Sequence, residues 1–571
     1  MLATILIWAY TLVVTMLYGW ALLRVLQRLL KRGAVEMPAF PVLWLVGLAG
    51  LTTLTSLLSL VVRINFEVSM LVTAGAVIIA WFFWKENQPP QIQFSQSKDV
   101  VKVAAWLLVV VCLATVLENA THKPANPDTG IYHAQAIRWI ETYPAVPGLG
   151  NLHTRLAFNS SWLVTNALFS FVYLDIRSFH LLGSVFFVVF LGYLFEGLFR
   201  FVSCDAQLND ILRLFLIPVS FWVFASEISS PGTDLPAALL IWFILLEFLR
   251  FLEMDGEAYP LQAEILFGLS VFAVTVKLSS APIVLIGVYL LWWKFKRNGF
   301  KSLLAMAGIG ALVLLPWLAR NVVLSGYLVY PRPELDLFNV DWKIPQKIAA
   351  AEQETIMAWA RISGLETREV LRMPLVEWTG IWFSRLSRNR KAMLGVAVAA
   401  PVVYFLAAIL FRKAARPVIR VVSSCAYAFV VVYAGLVFWF FTAPDFRFGY
   451  AFIISALVMA VLPAVAALRQ VLDFRKSIVV GWVVVSLLIY QVTVLGRSVE
   501  MDTLRERVVL PRDYVALTTA PCKIRNLTLW CAEAYNECWY DPFPCVPSAD
   551  PLVEMRGDSL RDGFRSIGLN P

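Results

Sequence analysis

The chain has 571 residues, of which 59% are hydrophobic and only 15% are charged, and its mean hydropathy is +0.71. No soluble core could absorb this much apolar surface, so the expected solvent is hydrocarbon. The net charge of +9 comes mostly from basic residues beside apolar runs, which fits membrane anchoring, and no nucleic-acid partner is expected. The sequence contains no glycine-rich nucleotide loop, so no ATP-driven role is expected either.

Apolar runs that could cross about 30 Å of hydrocarbon as helices recur along the whole chain. The first run is too long for a signal peptide and has no small-residue cleavage site, so it is expected to remain as a helix. The sequence therefore predicts an all-α polytopic membrane protein with about fourteen spans, at 3–23, 40–62, 67–84, 103–118, 178–201, 211–226, 235–253, 262–276, 279–294, 302–318, 393–411, 421–441, 449–467 and 477–495.

Basic residues between the spans predict the orientation. Clusters such as 24–32 and 294–301 follow odd-numbered spans, so those exits are expected in the cytoplasm and both termini outside. One basic cluster would lie outside and so disagrees with this orientation. It is either the end of a long loop, where the charge rule is weak, or a binding patch for an anionic partner. Its residues are Arg385, Arg388, Arg390 and Lys391. The expected units are N-terminal spans with a cytoplasmic linker at 1–100, a core at 101–495 with external loops 119–177 and 319–392, and an external tail at 496–571.

The first long external loop opens with a compact polar cluster at 126–133. Beyond it, apolar residues recur at helical spacing, which predicts a helix on the membrane surface with Gln135, Arg138 and Glu141 towards water. Asp128 would be the first external residue of this helix. Two interpretations stay open for Asp128, a helix N-cap and a functional carboxylate, and one residue can serve as both.

Other polar residues gather in the same loop and at later external helix ends. Three of the four histidines lie in the loop, which permits a metal or proton-relay site but also fits ordinary hydrogen-bonded histidines: His122, His133 and His153. A second short helix is predicted to open at 158–162. The later motifs are 226–234 with Glu227 and Asp234, the turn 277–282 with Lys277, 316–331 with Arg320, Asn321 and Tyr330, and 442–449 with Asp445 and Arg447.

The tail carries four closely spaced cysteines on the side of the membrane that the charge pattern places outside. In an oxidising compartment they predict two disulfides, with three possible pairings. A zinc site is the competing interpretation, although the spacings are not of the paired CxxC type. The four residues are Cys522, Cys531, Cys538 and Cys545.

An acid in the first long external loop, followed by surface helices and many spans, resembles the GT-C superfamily of polyprenyl-phosphate-dependent glycosyltransferases. The polar motifs named above follow in the order seen in that class, and the motif at 316–331 is the most specific of them. The resemblance covers about 103–468. The loop pattern from Tyr132 to Trp162 also resembles a bacterial membrane-protein family with no assigned substrate.

This resemblance implies a GT-C-like bundle in the bacterial inner membrane, with its site on the periplasmic face. Asp128 would be the general base that takes the proton of the acceptor hydroxyl. Lys277, Arg320 and Arg447 would meet the phosphate of a polyprenyl-phosphate sugar donor, and the acceptor would be an external glycan, lipid or protein. Membrane lipids are expected as further partners. The further residues expected to bind the substrates are Tyr132, His133, Arg138, His153, Asn159, Trp162, Glu227, Asp234, Asn321, Tyr330 and Asp445.

Two features depart from the class or permit another function. Asp128 has no adjacent second acid, which weakens the version of the mechanism that uses a divalent metal. Basic residues at the external ends would equally serve a transporter or flippase of lipid-linked glycans. A transporter requires ionisable groups near the membrane midplane, and the spans are expected to be almost free of them, which favours the enzyme.

Overall fold

Long apolar helices dominate the part of the chain that the structure describes. The computed structural model describes residues 1–30, 37–86, 100–174, 178–203, 207–410, 416–471, 481–487, 489–490, 505–525, 527–533 and 536–567. In chain order the α-helices up to residue 276 are α1 Leu2–Leu29, α2 Phe40–Leu58, α3 Phe66–Glu86, α4 Val100–Ala120, α5 Ala134–Thr142, α6 Leu149–Leu152, α7 Ser161–Leu168, α8 Leu182–Val202, α9 Leu208–Phe224, α10 Asp234–Glu253 and α11 Gln262–Val276. The later ones are α12 Val284–Asn298, α13 Phe300–Ser325, α14 Gln346–Arg361, α15 Thr367–Arg372, α16 Leu375–Arg385, α17 Arg388–Leu410, α18 Arg416–Thr442 and α19 Phe446–Val471.

Within the described ranges, ten helical segments are long and apolar enough to cross a membrane, which confirms a helical, multi-pass architecture. The predicted number of about fourteen is not confirmed, because four expected spans are not among the ten. Two of them, 262–276 and 449–467, correspond to shorter apolar helices, Gln262–Val276 and Phe446–Leu462. The expected span at 393–411 is not among the ten either, and the one at 477–495 lies mostly outside the described residues. Most of the predicted linker, at 87–99, lies outside them as well. The ten are Leu2–Leu29, Phe40–Leu58, Phe66–Lys85, Val101–Ala120, Leu182–Val202, Leu208–Glu227, Asp234–Glu253, Leu278–Asn298, Phe300–Ser325 and Cys425–Thr442.

Small residues allow the first two helices to pack closely. A Cβ atom on Gly19 of α1 would lie 2.0 Å from the backbone oxygen of Leu43, and one on Gly47 of α2 would lie 1.8 Å from that of Thr15. Lipid tails are as apolar as leucine, so helices in a membrane gain their association energy from such close backbone contact. This packing joins α1 to α2, which in turn contacts α7 of the first long loop.

Charged side chains are also buried within the bundle, so the expectation of spans almost free of them was wrong. Arg213 of α9 donates to Glu247 of α10 over 3.1 Å, and both side chains are fully buried. Tyr193 and Gln262 donate to the two oxygens of Glu247 over 2.8 and 3.2 Å. Pairing of this kind makes buried charge tolerable in a low-dielectric interior.

The tail is a small β-structure, which corrects the all-α prediction for this part of the chain. Strands β1 Thr519–Ile524 and β2 Leu527–Ala532 pair antiparallel, and β3 Cys545–Val546 lies parallel to β2. Strands β4 Val553–Met555 and β5 Phe564–Ser566 form a second antiparallel pair. The prediction of two disulfides is confirmed. Each disulfide joins cysteines that are consecutive among the four of the tail, Cys522 to Cys531 and Cys538 to Cys545.

The orientation of the bundle can be tested with exposed single cysteines in chains whose native free thiols have been replaced. Lys301, at the start of α13, is expected in the cytoplasm, and Leu337, in the loop after α13, is expected outside. A membrane-impermeant thiol reagent should therefore label Leu337→Cys in intact cells and Lys301→Cys only after the membrane is opened. The reverse pattern would contradict the predicted orientation.

Candidate functional site

The polar cluster of the first loop forms a π-helical turn, Thr129–His133, that leads into α5. Asp128 precedes this turn but its side chain makes no capping hydrogen bond, so the N-cap interpretation was wrong. The side chain that hydrogen-bonds to the backbone at the start of this turn is Asn126, whose Oδ1 accepts from the backbone N–H of Asp128 over 2.9 Å. Its amide nitrogen also donates to Glu227 over 2.7 Å, which fixes the turn to the end of α9. Single π-turns of this kind are common at functional sites.

The Asp128 carboxylate lies between two guanidinium groups from distant parts of the chain. One oxygen accepts from Nη1 of Arg447, at the start of α19, over 3.2 Å. The other lies 3.6 Å from Nη1 of Arg155, in the 3-10 helix Thr154–Ala157. The three side chains are 22%, 25% and 29% exposed, respectively, so the carboxylate is oriented by its partners and still reachable from outside the protein.

A second ion pair lies beside the first. Lys277 contacts the Asp234 carboxylate at the start of α10, and its ammonium lies 4.2 Å from the ring centre of Phe448. Asp234 is almost fully buried and feels the charges of both Lys277 and Arg447. The Arg447 Nε is also 3.6 Å from Asp445. The structure thus brings together the predicted residues Asp128, Tyr132, His133, Glu227, Asp234, Lys277, Asp445 and Arg447.

His133 is the buried neighbour of these charges. Neither of its ring nitrogens has a hydrogen-bond partner among the described residues, and the side chain is 2% exposed. Burial, opposed by Asp128 and Asp234 and reinforced by Lys277 and Arg447, lowers the pKa of His133 to about 4. The imidazole is therefore neutral at pH 7 and presents one donor and one acceptor.

Aromatic rings continue from this cluster towards the loop after α13. Tyr132 meets Phe158 with ring centres 5.6 Å apart, and Phe158 meets Tyr330 at 5.7 Å. Burial raises the pKa of the Tyr132 hydroxyl well above its usual value, with Asp128 acting in the same direction. The Tyr330 hydroxyl is buried without a hydrogen-bond partner in the described part of the chain. Both phenols are thus neutral groups available as donors.

Three residues of this region were not predicted from the sequence. Arg155 bridges Asp128 and Glu352 of α14, its Nε lying 3.6 Å from that carboxylate. Trp359 of the same helix is 5.5 Å from the Arg447 guanidinium. The only sequence signal for Arg155 is its position two residues after His153, and α14 resembles any amphipathic helix. Long-range pairing across about 200 residues has no local signature.

Several predicted site residues lie elsewhere. Asn159 pairs with Arg320, at 3.1 Å from Oδ1 to Nε, and no acid joins them among the described residues. Asn321 donates to the backbone oxygen of Leu328. Trp162 is fully buried, so it cannot stack on a sugar in this conformation. His153 lies beside Arg155, and burial, aided by that charge, lowers the pKa of His153 to about 3.

The tail covers the polar face of α5, which corrects the prediction that this face points to water. Gln135 and Glu141 are each 1% exposed. The Gln135 amide donates to the backbone oxygens of Trp539, Tyr540 and Pro542, and its oxygen accepts from the backbone N–H of Cys545 over 3.1 Å. Arg138 also turns to the tail, with its guanidinium 4.6 Å from the Tyr540 ring.

The tail also contacts the π-turn directly. The Gly130 oxygen accepts from the backbone N–H groups of Cys538 and Trp539, over 2.8 and 2.9 Å. A Cβ at Gly130 would lie 2.7 Å from the Trp539 ring, so only glycine allows this approach. The loop closed by Cys538 and Cys545 is therefore part of the support of the site.

The residues at this site do not suit a divalent metal. Asp128 is held by two arginines, Asp234 by Lys277, and Glu227 by Asn126. Within the described residues, no group of three His, Cys, Asp or Glu side chains is placed to hold an ion. Two of these three carboxylates are thus already paired with cations, and the third accepts a hydrogen bond from an amide.

The fold and this cluster define a helical multi-pass membrane protein with a polar site where several helices end. The chain matches the family described as Domain of unknown function (DUF8201) over residues 1–454 and belongs to that family. The matched region includes Asp128, Lys277 and Arg447 and ends before the tail. No curated protein and no solved structure matches the chain.

The pairing of Lys277 with Asp234 predicts a stability effect that depends on both partners. Lys277→Ala leaves a buried carboxylate without its cation and should destabilise the protein by about 3 kcal/mol. Combining it with Asp234→Asn removes the orphaned charge and should recover most of the loss. Thermal unfolding in detergent measures both, and equal stability of the single and double variants would contradict the pairing.

Docking of the tail on α5 predicts that Gln135 holds the tail in place. Gln135→Ala leaves buried backbone groups of the tail without partners, at a cost of about 1–3 kcal/mol each. Limited proteolysis should then cleave the tail faster than in the parent chain. Gln346→Ala changes an exposed glutamine of α14 and should leave the cleavage rate unchanged; an equal rate in all three proteins would show that Gln135 does not hold the tail.

Proposed function

We propose that the protein is a membrane glycosyltransferase of GT-C type that uses a polyprenyl-phosphate-linked sugar donor. The observation that carries the proposal is the partly exposed Asp128 carboxylate, held between Arg447 and Arg155 where the helices end. Such a site offers a base for a hydroxyl and cations for a phosphate within one cluster. It would lie on the periplasmic face of a bacterial inner membrane and act on an external glycan, lipid or protein.

In the proposed reaction the acceptor hydroxyl oxygen bonds to the anomeric carbon of the donor sugar. The bond from that carbon to the phosphate oxygen breaks, and its electron pair leaves on the polyprenyl phosphate. The hydroxyl attacks from the face opposite the leaving phosphate, so the anomeric configuration is inverted, and its proton passes to Asp128. A positioned carboxylate base contributes about 10²–10⁴ to the rate of such a step.

Negative charge grows on the leaving phosphate, so preorganised cations accelerate its departure. Arg447 is suited to this role, because it is 25% exposed and donates to the Asp128 carboxylate over 3.2 Å. A phosphate can compete for this guanidinium, since arginine binds both anions in the same fork geometry. Transfer of Arg447 from Asp128 to the phosphate would make the carboxylate a stronger base when the donor is bound.

A second candidate is a transporter or flippase of lipid-linked glycans, favoured by the buried Arg213 and Glu247. These residues have several partners within the bundle, in an arrangement typical of a closed structural network. Glu247 follows Asp234 by thirteen positions in α10, about 20 Å along a helix. This network is therefore remote from the Asp128 cluster, and we rank the transporter second.

The proposal predicts that Asp128→Asn lowers sugar transfer by roughly 10²–10⁴. Stability should change by about 1 kcal/mol or less, because the side chain caps no helix and its ion pairs are partly solvated. Transfer is measured with purified protein and labelled polyprenyl-phosphate sugars. Asp558→Asn, which changes an exposed tail residue, should transfer at the parent rate.

Two outcomes would contradict this assignment. If Asp128→Asn transfers sugar as fast as the parent, Asp128 is not the base. If the parent moves a lipid-linked glycan between leaflets without forming a glycosidic bond, and the variant does so equally well, the transporter is the better description.

A further inference from the structure

Arg320 is a buried cation without a counter-ion in the described part of the chain. Its side chain lies near the end of α13 and is 4% exposed. Nε donates to Asn159 over 3.1 Å and Nη1 donates to Ser59 over 2.8 Å. No carboxylate among the described residues pairs with it. Every other cation of the neighbouring cluster, Arg155, Lys277 and Arg447, has at least one acid within 4 Å.

This arrangement leaves donors unused. A guanidinium carries five N–H groups and cannot lose its charge in a protein, so two hydrogen bonds leave three N–H groups over. Isolated buried charge is costly, and buried arginines are normally paired. Other buried cations of the bundle, such as Arg213 and Lys294, have carboxylate partners. Arg320 differs from them, because no described carboxylate balances its charge.

A cavity adjoins the guanidinium. Arg320, Asn159, Ser160 and Tyr143 are polar residues of its lining, and most of the other lining residues are apolar, such as Val146 and Leu324. The free space is about 20 Å³, slightly more than the 10–15 Å³ or so that one water needs. This volume suits a monatomic ion and is too small for a phosphate group.

We propose that the Arg320 cavity is a binding site for a halide-sized monovalent anion, such as chloride. The anion would accept from the free N–H groups of Arg320 and supply the missing negative charge. The mostly apolar lining would replace part of the hydration shell of the anion, which favours a weakly hydrated ion over fluoride or phosphate. Phe158 links this cavity to the Asp128 region, because it is among the lining residues of the cavity and its ring centre is 5.6 Å from that of Tyr132.

The test uses the purified full chain and sodium bromide as the probe. Bromide replaces gluconate at constant ionic strength while the midpoint of thermal unfolding is followed. The parent protein should show a saturable rise, because an anion that binds only the folded state stabilises it. Sodium phosphate at equal ionic strength should give no saturable rise, and anomalous scattering from a bromide-soaked crystal should place a peak at Arg320.

Variants distinguish binding of bromide at this site from a general effect of ionic screening. Arg320→Gln should lose the saturable response, and Arg320→Lys should bind bromide roughly tenfold more weakly, since it replaces the fork by a point charge. Arg372→Gln removes an exposed arginine of α15 and should respond as the parent does.

The proposal is overturned if the parent shows no saturable bromide effect, or if phosphate matches bromide. If Arg320→Gln does not fold, the Arg320→Lys titration and the position of the bromide peak decide. An unchanged affinity in Arg320→Lys, or a peak elsewhere, excludes the site. None of these measurements uses sugar transfer, so their outcome is independent of the proposed enzyme activity.

Discussion

The site depends on one electrostatic arrangement, the Asp128 carboxylate between the guanidinium groups of Arg447 and Arg155. It joins the first long loop to the start of α19 across more than 300 residues of sequence. Partly exposed pairs contribute only about 0–1 kcal/mol each, so this arrangement orients the carboxylate more than it stabilises the fold. The energy that keeps the loop in place must come from buried contacts.

Those contacts are supplied largely by the tail. Gln135 satisfies four backbone groups of the tail in a fully buried setting, and the Gly130 oxygen accepts two more N–H groups. Leaving such groups unpaired would cost about 1–3 kcal/mol each, which exceeds the contribution of the ion pairs at Asp128. The π-turn that carries Asp128 and His133 is therefore held from outside by a disulfide-closed loop, and from inside by the helix ends.

The sequence was sufficient for features with a local physical signature. Runs of apolar residues reveal spans, and four close cysteines reveal a stapled tail. It also led to Asp128, Lys277, Asp234 and Arg447, because charged residues at helix ends of an apolar chain are few. Prediction from the sequence failed where the environment of a residue depends on a partner far along the chain. The polar face of α5 has the pattern of a solvated face, and it is buried because the tail covers it. The same holds for Arg155 and Glu352, and for Arg213 with Glu247.

Charge balance distinguishes the cations at this end of the bundle. Arg447 and Lys277 both have carboxylates within reach, and a phosphate could bind them only by competing with Asp128 or Asp234. The partly exposed pair, Arg447 with Asp128, can exchange partners with less loss, because water partly screens it. The pair of Lys277 with the buried Asp234 cannot, since it would leave an uncompensated charge behind. Arg447 is therefore the cation suited to bind and release an anionic group, while Lys277 fixes the geometry around it.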